Sequence, residues 1–239
     1  MKAYKYILLL FVAALGSRIT LAQNYVSDME KISEKYKQGS ISFRVKYSFY
    51  PYDSLNKIAD SMNASCNMSN GEYYYKITSG NNTYEYVRND NYYFVVDYSN
   101  KAIAVRRSSE AAQQVWDVKR MDSIMHSPSV KVTYKDAGNN QGEYDMKLVE
   151  GTWSHIKLVF DKATYALVRI TMYSQQRGKM FGQNYSKPRI VIHYSNYSMV
   201  ANDQNIFSES KYFNAMADNV TLAEGYKNYR LLNYLKKAY

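Results

Sequence analysis

The sequence predicts a mainly β (α+β) fold: a strongly bent antiparallel sheet with an N-terminal helix and a mid-chain helix packed against it. Three observations carry this expectation. Apolar and polar residues alternate with period two in run after run from residue 41 onward. The chain holds 27 Tyr against 8 Phe and 2 Trp, and tyrosine favours strands and surfaces that are apolar in body and polar at the tip. The alternating runs are joined by short polar connections, which force antiparallel neighbours.

The first 23 residues stand apart. Lys2 and Lys5 precede an apolar run from Ile7 to Leu15, and Leu21-Ala22-Gln23 offers a small-residue cleavage region. This is the pattern of a secretory signal peptide, too short for a membrane span. Cleavage is expected near Gln23, leaving residues 24–239 as one domain without a transmembrane segment. No Cys follows the apolar run, so a lipid anchor is not expected, and the predicted location is periplasmic. Removing the segment takes away three of the 31 basic residues and none of the 21 acids, lowering the net charge from +10 to +7. Such a surplus suits an acidic partner; export makes nucleic acid a poor one. Cys66 is the single cysteine, which excludes an intramolecular disulfide.

Residues 24–38 place Val26, Met29, Ile32 and Tyr36 at helical spacing, with Ser27 and Glu30 in the positions of a capping box. Ile41 to Tyr50 alternates as a long half-buried strand: Ile41, Phe43, Val45, Tyr47 and Phe49 share one face. After Pro51, Leu55, Ile58 and Met62 suggest a short helix, and Asn63 to Gly71 is polar and turn-like. Four short strands follow as a meander, at 72–78, 83–88, 92–98 and 101–106. A stripe of Ala111, Val115, Val118, Met121, Ile124 and Met125 predicts a helix over 110–126. Further strands are expected at 130–135, 142–149 and 187–197. Between them His155 to Ser174 forms a hairpin around Asp161-Lys162-Ala163-Thr164. Residues 175–186 are expected as a polar loop. In the tail, a short helix or strand is expected at 211–216, and residues 221–239 are expected to pack back on the body. The sheet then has about ten strands.

The hairpin residues Leu158, Phe160, Asp161, Lys162, Thr164, Leu167 and Ile170 read hydrophobic-x-Phe-Asp-Lys-x-Thr-x-x-Leu-x-x-Ile. With the order of elements, this resembles the LolA/LolB-like superfamily of envelope lipoprotein carriers, and YYFVVDYSNKAIAV resembles LolA-like proteins of the Bacteroidetes. The resemblance implies a half-open β-barrel whose helix lid covers an apolar cavity for acyl chains. It also implies a lid-closing arginine, for which Arg44 is the nearest candidate. The chain departs from the family in its tyrosine-rich strands where an aliphatic lining is expected, which suggests a remodelled or filled cavity.

Catalytic signals are weak. His126, His155 and His193 show no ligand spacing; among Asp97, Glu143, Asp145, Glu150 and Asp161 nothing singles out an acid–base pair; no phosphate loop, GxSxG or CxxC occurs. A hydrolase therefore ranks last, and no cofactor or metal is expected. Tyr73, Tyr75, Tyr84, Tyr86, Tyr92 and Phe94 are expected to form one aromatic face, and Arg106, Arg107, Lys119 and Arg120 flank the mid-chain helix. The leading expectation is a non-enzymatic exported protein that binds a lipid or acylated protein under the 110–126 lid. Phe43, Val45, Tyr47, Tyr75, Tyr84, Tyr86, Phe94, Ile170 and Met172 are its predicted lining, and Arg44, Arg106 and Arg107 its head-group or lid residues. The alternative is an accessory subunit of an envelope assembly or secretion machine, with a filled interior and tyrosine-rich surfaces for envelope proteins.

Overall fold

A helix, α1 (residues 25–37), precedes a run of strands: β1 (Ser40–Tyr50), β2 (Asp60–Ser69), β3 (Glu72–Ser79), β4 (Asn82–Arg88), β5 (Tyr92–Asp97) and β6 (Ala102–Arg107). A second run follows: β7 (Val130–Gly138), β8 (Gln141–Leu148), β9 (Trp153–Asp161), β10 (Leu167–Ser174), β11 (Gly178–Met180), β12 (Gln183–Tyr185) and β13 (Arg189–Ser198). The C-terminal segment adds β14 (Phe213–Met216), β15 (Asn219–Leu222) and β16 (Arg230–Asn233), with two short 3₁₀ turns before β14 and one between β15 and β16. This computed structural model describes residues 25–37, 39–51, 57–110, 130–175, 178–180, 183–185, 188–200 and 203–235. The expected signal peptide, and the expected mid-chain helix apart from its first residue, lie outside the described residues.

Twelve strands form one curved sheet in the order β16-β6-β5-β4-β3-β2-β1-β13-β10-β9-β8-β7. All neighbours are antiparallel except β16, which lies parallel to β6. The fold class is that read from the sequence, with two more strands and one parallel pair. Three local expectations are corrected. The stretch expected as helix and turn between Leu55 and Gly71 contains β2, a full strand paired with β1 and β3. Ala64 and Cys66 are its buried face. The loop at 175–186 carries the small β11–β12 hairpin. The helix is already formed at residue 25, so Ser27 sits inside it rather than capping it.

The hairpin turns follow from their residues. Asn70 and Gly71 both have positive φ, 50° and 88°, the backbone a two-residue type I′ turn requires. At the 161–164 turn, the Asp161 carboxylate accepts hydrogen bonds from the backbone N–H of Ala163 (3.1 Å) and Thr164 (2.8 Å). Tyr165 closes the turn at φ 55°. A bulge follows: Leu167 pairs with Phe160 but Arg169 with Val159, so Val168 is the extra residue. The bulge brings both Leu167 and Ile170 to the same core.

Two cores lie on opposite faces of the sheet. On the inner face, Tyr25, Met29, Ile32 and Tyr36 of α1 pack on Ile41, Phe43, Tyr144, Leu158, Phe160, Leu167 and Tyr194. Phenols fix the helix there. Tyr144 donates to Asp28 at 2.6 Å, and the Leu167 N–H donates to the Tyr36 hydroxyl at 3.1 Å. On the outer face of β4–β6, Val87, Phe94, Val96, Ile103 and Val105 are covered by Tyr212, Phe213 and Leu235 of the C-terminal segment.

Glu85 joins that segment to the sheet. It is 2% exposed and accepts hydrogen bonds from Tyr74 (2.7 Å), Tyr98 (2.9 Å) and Tyr212 (2.7 Å), with Lys76 at 3.3 Å. Burial pushes its carboxyl up, but the three phenols and the Lys211 charge outweigh this and hold it below the ordinary 4.5. A carboxylate depressed in the folded state contributes stability that is full above the unfolded value and lost as pH falls through the folded one. Glu85→Gln is therefore expected to cost about 1–3 kcal/mol at pH 7. It should also flatten the loss of stability below pH 4.5, as read by urea unfolding across pH. An unchanged acid limb in the variant would refute this role.

Candidate functional site: an apolar trough on the inner face

The inner face is only partly covered by α1. Between the helix-covered strands and the tyrosine-rich strands lies a cavity of about 600 Å³. Period two builds its wall from eight strands. Phe43, Val45 and Tyr47 come from β1, Cys66 from β2, Tyr73, Tyr75 and Ile77 from β3, Tyr86 from β4 and Tyr93 from β5. Ile156 and Leu158 of β9, Ile170 and Met172 of β10, and Ile192 and Tyr194 of β13 form the other side. No charged side chain lines it.

The wall is chemically graded. The β9–β10–β13 side is aliphatic except for Tyr194, and the β3–β5 side is tyrosine except for Ile77. Tyr47 and Tyr75 hydrogen-bond to each other, which satisfies two of the hydroxyls. Burial raises the phenols of Tyr47, Tyr73, Tyr75 and Tyr194 above the ordinary 10.0. All of them therefore stay neutral near pH 7. Tyr75 and Tyr86 lie 6.5 Å apart between ring centroids, and Tyr73 and Tyr93 6.4 Å, both tilted.

Of the nine residues predicted as lining, Phe43, Val45, Tyr47, Tyr75, Tyr86, Ile170 and Met172 meet at this cavity. Phe94 does not. It pairs with Val87 and Val105 on the outer face and packs at 5.1 Å from both Tyr212 and Phe213. β5 is apolar on both faces, so its alternation carries no sign of direction, and Tyr93 takes the inner position. Tyr92 likewise faces outward, 5.7 Å from Phe213. Tyr84 is on the inner face but one step beyond, beside Asp97, Lys101 and Arg230 in a separate hollow. The predicted lining did not include Cys66, Tyr73, Ile77, Tyr93, Ile156, Leu158, Ile192 or Tyr194; Cys66 escaped because β2 was expected as helix and turn.

The three predicted head-group arginines part company. Arg44 is exposed and sits between Phe43 and Val45, so alternation turns it to the outer face. Arg107 is also on the outer face, ion-paired to Asp218 at 2.5 Å. Arg106 alone stands beside the cavity, its guanidinium 5.9 Å from the Tyr93 ring and 5.5 Å from the Tyr234 ring. Lys119, Arg120 and His126 lie outside the described residues.

The groups weighed for catalysis are engaged elsewhere. Asp97 and Asp161 cap their own turns. Glu143 is ion-paired to Lys135 at 3.0 Å, and Asp145 bonds His155, which stacks on Tyr173. None of them, nor Glu150, lines the cavity. His193 lies on the outer face, lowered from 6.5 by burial and by the charges of Arg169 and Lys46. Among the described residues no three His, Cys, Asp or Glu gather as a metal site. Among the same residues no helix is long and apolar enough to cross a membrane.

No protein-family model and no curated protein matches the chain. Solved structures similar to it include a MucA/MucB complex of Pseudomonas aeruginosa, at 12% identity and a TM-score of 0.43, covering 76% of this chain and 59% of that one. The lipoprotein LppX of Mycobacterium tuberculosis is 14% identical, with a TM-score of 0.41, over 74% of this chain and 96% of that one. A LolA superfamily protein of Nitrosomonas europaea is 11% identical, with a TM-score of 0.25, over 79% and 97%.

Cys66 tests the dryness of the trough. It is 1% exposed and burial pushes its thiol up to about 12. Only the thiolate reacts, so labelling by a maleimide at pH 8 should be roughly a thousandfold slower in the folded chain than in urea. Rapid native labelling would show a wet, open wall at β2.

Proposed function

We propose that this chain is a non-enzymatic, exported periplasmic protein that holds the acyl chain of a lipid or acylated protein in the inner-face trough. The observation that supports this is the cavity itself: about 600 Å³ walled by fifteen residues without a charge. Ligand pockets typically span about 300–1,000 Å³ and are mostly apolar. Ten methylenes moved from water into such a wall gain roughly 8 kcal/mol, against an association cost of about 4–15 kcal/mol. The gain thus falls within the range of the cost, and each further methylene of a longer chain adds about 0.8 kcal/mol. Export is supported by the charged and apolar pattern of residues 2–23.

The alternative, a scaffold within an envelope assembly, is favoured by one feature. The end strand β7 is exposed along most of its length, and such an edge offers backbone groups to a partner strand.

Native mass spectrometry of the full chain purified from its own envelope, followed by organic extraction, separates the two. Carriage predicts a co-purifying lipid or acylated peptide. Val45→Phe, which projects a ring into the trough, should reduce that occupancy at least tenfold while leaving the melting temperature within a few degrees. A clean apo mass, with no uptake of a fluorescent fatty acid, would reject carriage and leave the scaffold.

A further inference from the structure

The trough has two unlike ends, and the register of the sheet shows what lies at each. Tyr73, Arg88, Tyr93 and Arg106 are successive cross-strand partners on β3, β4, β5 and β6. They therefore share the inner face, in one row. Tyr73 and Tyr93 are cavity wall; Arg88 stands between them in register, and Arg106 closes the row. The opposite, aliphatic end is built by Ile156, Met172 and their neighbours on β9, β10 and β13.

Both arginines are left without an acidic partner among the described residues. The Arg88 Nε donates to the neutral Ser108 hydroxyl at 3.0 Å, which leaves the outer nitrogens of its guanidinium without a partner among the described residues. Among the described residues the partners of Arg106 are the faces of Tyr93 and Tyr234. The hydroxyls of Tyr73, Tyr86 and Tyr93 make no hydrogen bond among the described residues either. Two guanidinium groups and three phenols thus stand at one end of a wall that is otherwise free of charge. A guanidinium presents a planar fork of donors suited to a carboxylate or phosphate. An uncharged chain uses none of these groups.

We propose that the ligand of the trough is an anionic amphiphile, its carboxylate or phosphate held by Arg88 and Arg106, its chain running diagonally across the sheet towards Ile156 and Met172. This rests on the trough being a chain-binding site. It adds the charge of the ligand, its orientation, and two residues that touch its head.

The test is a binding series on the full chain by isothermal titration. Palmitate and a palmitoyl lysophosphatidic acid supply the two anions; palmityl alcohol and monopalmitoylglycerol supply neutral heads on the same chain, all below their aggregation concentrations. The wild type should bind at least one anion about tenfold or more tighter than its neutral counterpart, since hydrogen bonds to charged groups are worth that much. The Arg88→Gln/Arg106→Gln pair should erase that preference and leave neutral binding unchanged. Arg44→Gln/Lys46→Gln, on the outer face, should keep it. Which anion is preferred identifies a fatty acid or a phospholipid as the source. Equal affinity for charged and neutral heads, or a preference that survives the Arg88/Arg106 pair, would overturn the head-group assignment while the trough remains a chain site. Absence of binding by all four amphiphiles would overturn the carrier reading itself. Thermal unfolding of each variant excludes a folding defect.

Discussion

A single sheet has two faces, and among the described residues the other elements cover part of each. That constraint places nearly every side chain of consequence. The helix α1 covers the inner face over β8–β10 and β1. The C-terminal segment covers the outer face over β3–β6. The two covers are offset across the sheet, so among the described residues the tyrosine-rich strands are backed from outside and not covered within. The trough is the part of the inner face that no described residue covers. Over β1, β13 and β10 the corresponding outer remainder is polar, with Arg44, Lys46, Arg169 and His193 side by side.

Offset covers must be attached at particular points, and tyrosine is the means. A phenol brings apolar area and one hydrogen-bonding group, so it can bury its ring in a core and still bind a polar partner. Tyr36 and Tyr144 do this for α1, the first by taking the Leu167 N–H where β10 has parted from β13. Tyr74, Tyr98 and Tyr212 do it for the C-terminal segment by converging on Glu85. Asn89, 8% exposed, reinforces the same junction by donating to the Phe207 carbonyl at 3.1 Å and to Glu209 at 2.7 Å. The unusual tyrosine content therefore has two separate causes. Some of these residues fasten elements together, and others line the trough. Composition alone does not tell them apart.

What the sequence disclosed and what it hid divide along the same physical lines. Strands with one wet face were legible, because water enforces alternation there: β1, β3, β4 and the β9–β10 hairpin fall close to their predicted bounds. β2 was not, since its buried positions are filled by Ala64 and Cys66 rather than by large hydrophobics. Its clearest signal was the Asn70-Gly71 pair, a strong hairpin turn whose upstream arm had to be a strand. Phe94 and Tyr92 were assigned to the wrong face because β5 is apolar on both. Arg88 escaped notice for another reason. Nothing in TYEYVR separates a strand-end cation in solvent from one beside a cavity, and only the cross-strand register sets it between Tyr73 and Tyr93.

The grading of the trough also determines how it can discriminate between ligands. Its aliphatic end responds to chain length, since each buried methylene adds roughly 0.8 kcal/mol whatever head the chain carries. Selectivity must then arise at the tyrosine and arginine end. There Arg106 is exposed and Arg88 half-buried, so an uncharged head leaves both in contact with water and incurs no penalty for stranding a buried charge. Discrimination works only through what an anion gains. Such a gain is modest beside the rejection that a sealed, desolvated charge produces, and it weakens as salt screens the exposed guanidinium. On the proposed reading, a trough built this way would accept a class of amphiphiles of suitable length and favour the anionic ones among them. That suits a carrier that must release its cargo more than a receptor that must recognise a single molecule.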